Sequence, residues 1–413
     1  MANAGVASQK LSRRALTLEW CLLHAGFLAT GIVTTLLGPL LPYLAAHWSL
    51  NDRQAGLFFT AQFLGSLLGV LATSFLLPRR GFAFALATGF AIMGAGVATL
   101  GLGKWTIGWL SVFGYGIGLG LTIPGANLFV SSKAGERSVA ALSILNFAWS
   151  AGAVLCPLVV ILAEPRVGLR GLTVLLGGIV ALFAVAFTRS LGQQGERNEE
   201  SIRPLAVWSS LLSRSHLGAP ALLFFLYVGT ENALGGWVAS HAKRAGADTF
   251  WVLAPSVFWA ALLVGRAVAP TAWRYFGERN LARITLAMAG LGALVIFAST
   301  SSTVIRSGAA IAGLGLAPVF PILVARLTEA LGPDAKWAGG LMFGSSSLGG
   351  AALPWLVGAV STQTGSLRVG LGVPLLSCVL MLFLAWRRQM PQGAVQGTEE
   401  GVVSTAQGGA RGH

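Results

Sequence analysis

Long apolar stretches alternate with short polar or Pro/Gly-rich turns along most of the chain. A helix of about 20 apolar residues crosses a bilayer, and twelve stretches of the chain reach or approach that length. They comprise residues 18–47, 54–77, 81–103, 106–132, 139–163, 172–189, 217–241, 250–273, 281–299, 303–327, 339–360 and 369–385. The pattern predicts an all-α membrane protein with twelve transmembrane helices.

The amino-acid composition supports a lipid environment. Hydrophobic residues make up 54% of the chain, charged residues make up 10%, and the mean hydropathy is +0.73. An ordinary soluble domain carries about 25% charged residues. The composition therefore excludes the ordinary soluble globular class.

The basic charge of the chain is distributed unevenly between the two sides of the predicted bundle. The net charge is +14, which on its own suggests a nucleic-acid partner. However, the termini and the loops on their side hold 19 Lys and Arg residues, whereas the opposite loops hold 8. Because basic loops stay in the cytoplasm, this asymmetry predicts a multi-pass protein of the bacterial inner membrane with both termini cytoplasmic. No nucleic-acid partner is expected.

The motifs that might indicate enzyme chemistry fit membrane helices better. The glycine-rich run at 114–120 lies inside an apolar stretch, where glycines let helices pack closely. Cys21, Cys156 and Cys378 also lie in apolar stretches, without the spacing of metal ligands or of a disulfide framework. The sequence contains no Walker phosphate loop, so ATP is not expected to drive the protein directly. We therefore expect no enzymatic activity, no cofactor and no metal.

A polar run at 190–204 divides the twelve stretches into two sets of six. The predicted organisation is a cytoplasmic N-terminal tail (1–17), a six-helix bundle (18–189), a cytoplasmic linker (190–216), a second six-helix bundle (217–389) and a disordered cytoplasmic tail (390–413). We expect the protein to be a monomer in the bilayer.

Three short patterns recur at corresponding places in the two halves. Gly-Leu-Gly-Leu at 118–121 recurs at 313–316, Ser-x-Gly-x4-Pro at 150–157 recurs at 347–354, and Phe-x3-Leu-Leu at 63–68 recurs at 258–263. The recurrence predicts a duplicated six-helix unit and hence two pseudo-symmetric bundles. In carriers built from such parallel repeats, the substrate site lies near the membrane midplane between the repeats.

Across residues 15–390 the chain resembles the major facilitator superfamily. The superfamily's signature after its second helix, a Gly followed by Asp-Arg-x-Gly-Arg, is reduced here to Gly69 and Arg-Arg-Gly at 79–81, without the acid. The counterpart in the second half is clearer, with Gly-Arg-x3-Pro-x3-Arg-x2-Gly-x-Arg at 265–279. The resemblance implies the major facilitator fold, in which these loops brace the cytoplasmic side in one transport state. It implies a gating role for Arg79, Arg80 and Arg274.

Within the superfamily, three segments resemble the fucose/galactose/glucose–cation symporter group. They are Tyr-Val-Gly-Thr-Glu-Asn-Ala-Leu-Gly-Gly-Trp at 227–237, Thr-Ile-Pro-Gly-Ala-Asn-Leu-Phe-Val at 122–130, and Leu-Asn-x5-Gly-Ala-x3-Pro at 145–157. The resemblance implies a hexose-like monosaccharide as substrate, with a proton or sodium ion as coupling partner. Thr122 stands where members such as fucose symporters have a protonatable Glu, so the sequence supports sugar binding better than proton coupling.

A sugar site needs hydrogen-bonding groups for the hydroxyls and a flat apolar surface for the C–H face of the ring. The deep polar candidates are Gln62, Asn127, Asn146, Tyr227, Glu231 and Asn232, and the deep aromatic candidates are Trp149, Trp237, Trp259 and Trp355. Asn146 and Trp149 share a helix face, and Tyr227, Glu231 and Trp237 share a broad face of another helix. Each amide has an alternative role, a hydrogen bond between helices without ligand contact.

Glu231 is the acidic residue that we place deep inside an apolar stretch. A carboxylate at that depth costs roughly 2.5–3.5 kcal/mol on insertion scales, so such residues usually bind something or carry a proton. Three roles are open. Glu231 accepts hydrogen bonds from sugar hydroxyls, takes up and releases the coupling proton, or pairs with a neighbouring side chain.

Arg266 is the one basic residue that we predict to be buried, well inside its apolar stretch. Glu231 lies 14 residues from the inner end of its stretch and Arg266 lies 7 residues from the inner end of its own. With a rise of about 1.5 Å per residue, the two differ in depth by roughly 10 Å. This estimate argues against an ion pair and favours a cytoplasmic gating or snorkelling role for Arg266.

The leading functional hypothesis is a secondary active transporter of a monosaccharide that works by alternating access of the two halves around a central site. A sugar uniporter is an alternative, because one intramembrane carboxylate need not carry charge. An exporter of amphipathic drugs or lipids shares the fold but favours a large apolar cavity. A membrane sensor that does not transport is the third alternative.

Overall fold

A computed structural model describes residues 2–190, 217–246, 249–331 and 338–387. Over those residues it contains twelve α-helices and no β-strand: α1 (Ala2–Thr35), α2 (Leu37–Trp48), α3 (Asp52–Thr99), α4 (Trp105–Ala134), α5 (Ser138–Ser190), α6 (Gly218–Arg244), α7 (Ala254–Ala298), α8 (Ser302–Leu316), α9 (Val319–Leu331), α10 (Ala338–Thr364), α11 (Leu367–Gly370) and α12 (Gly372–Arg387). The predicted all-α class is confirmed.

Three of these helices are long enough to cross a membrane twice, and each breaks at one glycine. Gly81 in α3, Gly168 in α5 and Gly277 in α7 have φ values of 77°, 68° and 69° and interrupt the helical backbone. Glycine adopts a positive φ without the steric penalty that a Cβ brings. The chain therefore turns at these glycines between two membrane-crossing arms.

The result is twelve crossing segments, called spans 1–12. Span 1 is α1 with α2, which are bent by 45° relative to each other. Spans 2 and 3 are the arms of α3, span 4 is α4, spans 5 and 6 are the arms of α5, span 7 is α6, and spans 8 and 9 are the arms of α7. Span 10 is α8 with α9, span 11 is α10, and span 12 is α11 with α12. The predicted twelve-helix architecture is confirmed.

The predicted linker and terminal tails lie outside the predicted bundles. Residues 191–216 of the predicted linker and all of the predicted C-terminal tail lie outside the described residues. At the N-terminus, α1 begins at Ala2, so residues 2–17 of the predicted tail are helical.

Close glycine contacts reproduce the internal repeat in the packing. Gly152 of span 5 lies against the carbonyl oxygen of Leu28 in span 1, and Gly349 of span 11 lies against that of Phe225 in span 7. Any Cβ at either glycine would overlap the facing backbone, so these positions let the helices approach to backbone contact. Gly349 follows Gly152 by 197 residues, and Phe225 follows Leu28 by the same number. This is also the spacing of the Ser-x-Gly-x4-Pro repeat.

The glycines of the Gly-Leu-Gly-Leu repeat have structural counterparts in the other half that differ from those of the sequence match. Gly116 faces the Gln62 carbonyl as Gly313 faces that of Phe258, and Gly118 and Gly315 face spans 3 and 9 respectively. The structural equivalent of Gly118 is thus Gly315 rather than Gly313. The string Gly-Leu-Gly-Leu repeats two residues out of structural register, because alternating glycines offer more than one alignment.

The two halves meet at one end of the bundle, the end that carries Asn51 and Arg244. Span 2 contacts span 11 there: Gly56 lies against the Trp355 backbone, and the Thr60 hydroxyl donates to the Ala351 carbonyl at 2.9 Å. Span 1 also contacts span 7, and span 5 contacts span 8, where the Ser256 hydroxyl donates to the Val154 carbonyl at 2.9 Å. This end is called the joined end.

Candidate functional site

An acid, a phenol and a guanidinium form a cluster between spans 7 and 8. Tyr227 lies one helical turn before Glu231 and donates a hydrogen bond to its Oε2. Arg266 Nη2 lies 3.6 Å from the same oxygen, and the side chains of Arg266 and Glu231 are 28% and 9% exposed. The carboxylate thus has a neutral donor on its own helix and a cation on the next one. Tyr227 and Arg266 are the ionisable groups found in contact with Glu231 over the described residues.

The predicted separation of Glu231 and Arg266 is wrong. Glu231 lies 13 residues after Gly218, where span 7 begins, and Arg266 lies 11 residues before the turn at Gly277. A difference of two residues corresponds to about 3 Å in depth, which an arginine side chain bridges easily. The sequence estimate put the inner end of span 8 at residue 273, whereas the helix continues to Gly277. Arg266 therefore lies beside Glu231 in the middle of the bundle.

Neighbouring spans hold this cluster in place without adding charge. The Thr230 hydroxyl donates to Ser377 Oγ of span 12 at 2.7 Å. The Tyr227 ring packs against Phe320 of span 10, with centroids 5.7 Å apart. Span 7 is thus held next to Glu231 by contacts with spans 10 and 12.

The first half contributes a group of amides and an indole. Asn146 of span 5 donates to Asn127 Oδ1 of span 4 at 3.3 Å. One turn further along span 5, Trp149 Nε1 donates to the Thr34 hydroxyl of span 1 at 3.4 Å. Asn146 is exposed and Asn127 is half-buried. Both amides also bond to carbonyls of their own helices, which leaves acceptor and donor capacity for a ligand.

Trp259 of span 8 connects this group to the acid cluster. Its ring meets Trp149 edge-on, with centroids 5.9 Å apart and an interplanar angle of 88°. Trp259 precedes Arg266 by seven residues, which is two helical turns, so both lie on one face of span 8. Because Trp259 touches the first half, this face is directed at the first half, and Arg266 lies deeper along it. The candidate site therefore lies between the halves, beside the Trp149–Trp259 contact and away from the joined end.

Two predicted site residues instead pack between helices. Gln62 donates to the Thr34 carbonyl at 2.9 Å and accepts from the Tyr115 hydroxyl at 2.9 Å. Trp237 is 1% exposed, and its Nε1 donates to the Pro354 carbonyl at 2.9 Å. The structure does not bring either side chain to the cluster, because the hydrogen bonds between helices direct them elsewhere.

The remaining candidates, Asn232 and Trp355, form no hydrogen bond or ion pair with the acid cluster within the described part of the chain. Asn232 donates to the Val228 carbonyl on its own helix at 2.9 Å. Trp355 is half-buried where span 11 meets span 2, and its Nε1 is a buried donor without a partner. Trp355 is thus placed with the contact between the halves.

The predicted gating residues of the loop signatures are exposed. Arg79 and Arg80 lie over Phe75 and Phe84, with 6.0 and 5.5 Å from guanidinium carbon to ring centroid. Arg274 is exposed at the corresponding turn of the second half. Glu278, inside the second-half signature, forms an ion pair with Arg326 of span 10 that the sequence did not predict. An acid within a basic loop motif was the available signal.

A second group of contacts that the sequence did not predict lies at the joined end. Asn51 caps span 2 through a capping box with Gln54, which places Asp52 in the first turn of that span. The Asp52 carboxylate accepts from both terminal nitrogens of Arg244, at 2.6 and 2.8 Å, and from the Ser361 hydroxyl. The backbone N–H of Arg53 donates to the Thr362 hydroxyl at 2.8 Å. This group, called the end latch, ties span 2 to spans 7 and 11.

Comparison with known sequences identifies a family and a relative. The profile of the Major Facilitator Superfamily matches residues 23–336. An uncharacterized MFS-type transporter, YcaD of Escherichia coli O139:H28, is 29% identical over 239 residues, which cover 53% of this chain and 61% of that protein. The chain thus spans about three fifths of the length of this relative.

Solved structures of transporters share the fold. The nucleoside transporter NupG superposes with a TM-score of 0.74 at 13% identity, covering 89% of this chain and 99% of that chain. A D-xylose-proton symporter gives 0.71 at 15%, covering 90% and 97%. The Escherichia coli fucose:proton symporter FucP gives 0.61 at 17%, covering 90% and 98%. At these identities the likeness shows the fold alone.

Proposed function

The chain belongs to the major facilitator superfamily, and from that premise we propose that this transporter carries a monosaccharide across the bacterial inner membrane by alternating access, coupled to a cation. The observation that carries the proposal is the position of the polar cluster. Trp149 of the first half meets Trp259 of the second half, and Arg266, two turns beyond Trp259 on the same face, pairs with Glu231. Asn146, one turn before Trp149, bonds to Asn127.

The chemistry of this cluster suits a sugar. Two amides supply donors and acceptors for hydroxyl groups, and two indoles supply flat apolar surface for the C–H face of a ring. The amides of Asn127 and Asn146 contact each other, so one hydroxyl can bridge both. The names of two structural neighbours, a xylose-proton and a fucose:proton symporter, support the same substrate class.

The contacts between the halves support one conformational state of the transport cycle. With both termini cytoplasmic, the joined end faces away from the cytoplasm, and the end latch closes the route from outside. Asn146, exposed at the level where the halves separate, is then reached from the cytoplasm. The arrangement is that of an inward-facing carrier.

Glu231 is the coupling residue in this proposal. As a carboxylate it is balanced by Arg266, and as a carboxylic acid it still bonds to Tyr227, so both forms have a partner inside the membrane. Uptake of a proton removes the attraction to Arg266, which loosens span 7 from span 8. Thr122 is buried and donates a hydrogen bond to the Gly118 carbonyl at 3.0 Å. This position of the first half therefore has no acidic side chain that could carry a second proton.

Uptake into proteoliposomes tests the proposal. The purified protein should accumulate a radiolabelled hexose or pentose when an inward proton gradient is imposed, and an uncoupler should abolish accumulation. Sodium replaces the proton as coupling ion if only a sodium gradient drives uptake. Equilibration without accumulation would identify a uniporter, whereas uptake of amphipathic drugs but of no sugar would identify the exporter.

A further inference from the structure

We propose that the substrate is an anion, a sugar that carries a carboxylate or phosphate group, and that this group binds Arg266 in place of Glu231. In its sugar component, the inference rests on the proposed function. The anionic group is inferred independently, from the charges at the centre of the second half.

Charge balance is the first argument. In the described spans of the second half, Glu231 and Arg266 are the two charged residues that lie more than ten residues from a helix end or kink. Without substrate they neutralise each other. When Glu231 takes up a proton, Arg266 keeps its charge, because a guanidinium does not deprotonate in proteins. A neutral sugar would leave one uncompensated cation in the membrane, which is costly.

An anionic substrate removes that cost. The protonated acid, the guanidinium and a monoanion, either a sugar carboxylate or a sugar phosphate in its singly charged form, together have the same net charge as the empty ion pair, which is zero. A doubly charged sugar phosphate would leave one excess negative charge. The carrier then changes conformation with a neutral centre both when loaded and when empty. One proton and one monoanion cross together, so the transport cycle moves no net charge.

The geometry of Arg266 leaves room for such a ligand. Its Nη2 is 3.6 Å from the Glu231 oxygen, longer than a hydrogen bond, and its side chain is 28% exposed. A guanidinium has five N–H donors in a planar fork that matches a carboxylate or a phosphate. The fork therefore has N–H donors for an anion that takes the place of Glu231 once that acid is protonated.

The position of Arg266 also fits the sugar part of the ligand. It lies two turns beyond Trp259 on the face directed at the first half, where Asn146 and Asn127 are bonded to each other. An anionic group at Arg266 would direct the hydroxyls of the same molecule at these amides. The site thus favours small sugar acids or sugar phosphates over neutral hexoses.

Binding of matched ligand pairs tests the inference. Thermal shift titrations of the purified full chain would compare D-glucose with D-glucuronate, D-galactose with D-galacturonate, and D-glucose with glucose 6-phosphate. We expect at least one acid or phosphate to bind the wild type roughly 10- to 100-fold more tightly than its neutral partner, as a charge-assisted hydrogen-bonded pair contributes. The Arg266→Gln variant should lose this preference, and Arg266→Lys should restore part of it.

Two further variants separate charge from fold. Glu231→Gln removes the competing carboxylate and should bind the acid at least as tightly as the wild type. This variant keeps the inference testable if Arg266→Gln does not fold. Arg170→Gln, at an exposed position far from the site, should leave the preference unchanged.

The outcomes are distinguishable from failure of the proposed function. Neutral sugars that bind as tightly as their acids would overturn the anionic inference and leave sugar transport standing. Binding of simple carboxylates such as lactate, dependent on Arg266 and without any sugar binding, would support the anion and overturn the sugar. If no acid or phosphate shifts the melting of the wild type or of Glu231→Gln, the inference is wrong.

Discussion

At the scale of single residues, the carboxylate of Glu231 has two polar neighbours, Tyr227 and Arg266. The Tyr227 hydroxyl satisfies one oxygen in either protonation state, whereas the Arg266 guanidinium favours the ionised form. The sequence predicted Glu231 correctly as a deep residue, because its apolar flanks are long on both sides. The partner could not be predicted, because an uncertainty of four residues in the end of span 8 changes the depth by about 6 Å.

Replacing Glu231 by Gln should separate coupling from transport. Gln keeps the shape and can still bond to Tyr227, but it takes up no proton. We expect gradient-driven accumulation in proteoliposomes to fall to background while exchange of substrate between equal pools continues. Glu164→Gln, near the Gly168 turn, is the matched control and should accumulate normally. If Glu231→Gln accumulates substrate against a gradient, Glu231 is structural; if binding and exchange are lost together, it is a substrate ligand.

Replacing Asn146 by Ala should weaken substrate binding without unfolding the protein. The side chain is exposed and bonds to Asn127 and to its own helix, so its loss leaves little buried and unpaired. A lost hydrogen bond contributes about 0.5–1.5 kcal/mol, which corresponds to roughly a 2- to 12-fold increase in Kd. Isothermal titration of the purified variant measures this change. Ser150→Ala, one turn away, should bind normally; unchanged affinity in Asn146→Ala would remove that residue from the site.

Trp237→Ala should act on stability rather than on binding. Deletion of a fully buried aromatic side chain typically costs 3–5 kcal/mol, and the Pro354 carbonyl also loses its donor. We expect a markedly lower melting temperature in detergent, with unchanged substrate affinity in the fraction that remains folded. Weaker binding with unchanged melting would return Trp237 to the substrate site, as its sequence context suggested.

At the scale of elements, glycines determine both where helices turn and how closely they pack. The boundaries predicted near residues 77–81, 163–172 and 273–281 contain Gly81, Gly168 and Gly277, where the long helices break. Apolar periodicity locates such turns because lipid-crossing segments have a fixed length. Packing partners are harder to predict: which glycine faces which helix depends on rotations that the apolar pattern, nearly uniform around each span, does not specify.

The backbone contacts at Gly152 and Gly349 should be sensitive to any side chain. Gly152→Val places atoms where the Leu28 carbonyl lies, and Gly349→Val does the same at Phe225. Overpacking of this kind typically costs 1–3 kcal/mol, so we expect both variants to melt at lower temperature. Gly178→Val is the matched control, since a Cβ there meets nothing within 4 Å. Equal melting of Gly152→Val and Gly178→Val would contradict the packing of spans 1 and 5.

At the scale of the whole molecule, the charge asymmetry predicts an orientation in the membrane, which the fold alone does not. In a background without Cys21, Cys156 and Cys378, we expect Gly246→Cys in intact cells to react with an impermeant maleimide. Ser132→Cys, at the opposite end of the bundle, should react only after the membrane is opened. Both positions are exposed, so reactivity reports sidedness. The reverse pattern would invert the predicted topology and, with it, the inward-facing assignment.

The end latch links that orientation to the transport cycle, because it joins the halves only in the state in which the joined end is closed. The end latch could not be predicted from the sequence, since Asp52 and Arg244 belong to different halves and only the packed fold brings them together. The Asp52 side chain is 13% exposed and accepts hydrogen bonds from two nitrogens of Arg244. This ion pair therefore contributes more stabilisation than the weakest surface ion pairs. We assign it roughly 1 kcal/mol, enough to shift the ratio of the two states about fivefold.

Arg244→Met and Asp52→Asn should therefore shift the population towards a state in which the joined end is open. Pulsed electron paramagnetic resonance between spin labels at Ala46 and Thr364 measures the two populations as separate distances. Arg53→Met is the matched control, because Arg53 contributes its backbone N–H to the latch, and it should leave the distances unchanged. The double exchange of Asp52→Arg with Arg244→Asp should restore most of the short-distance population, since it rebuilds the pair with its charges reversed. If both single variants keep the wild-type distribution, apolar packing of spans 2 and 11 rather than the ion pair closes this end.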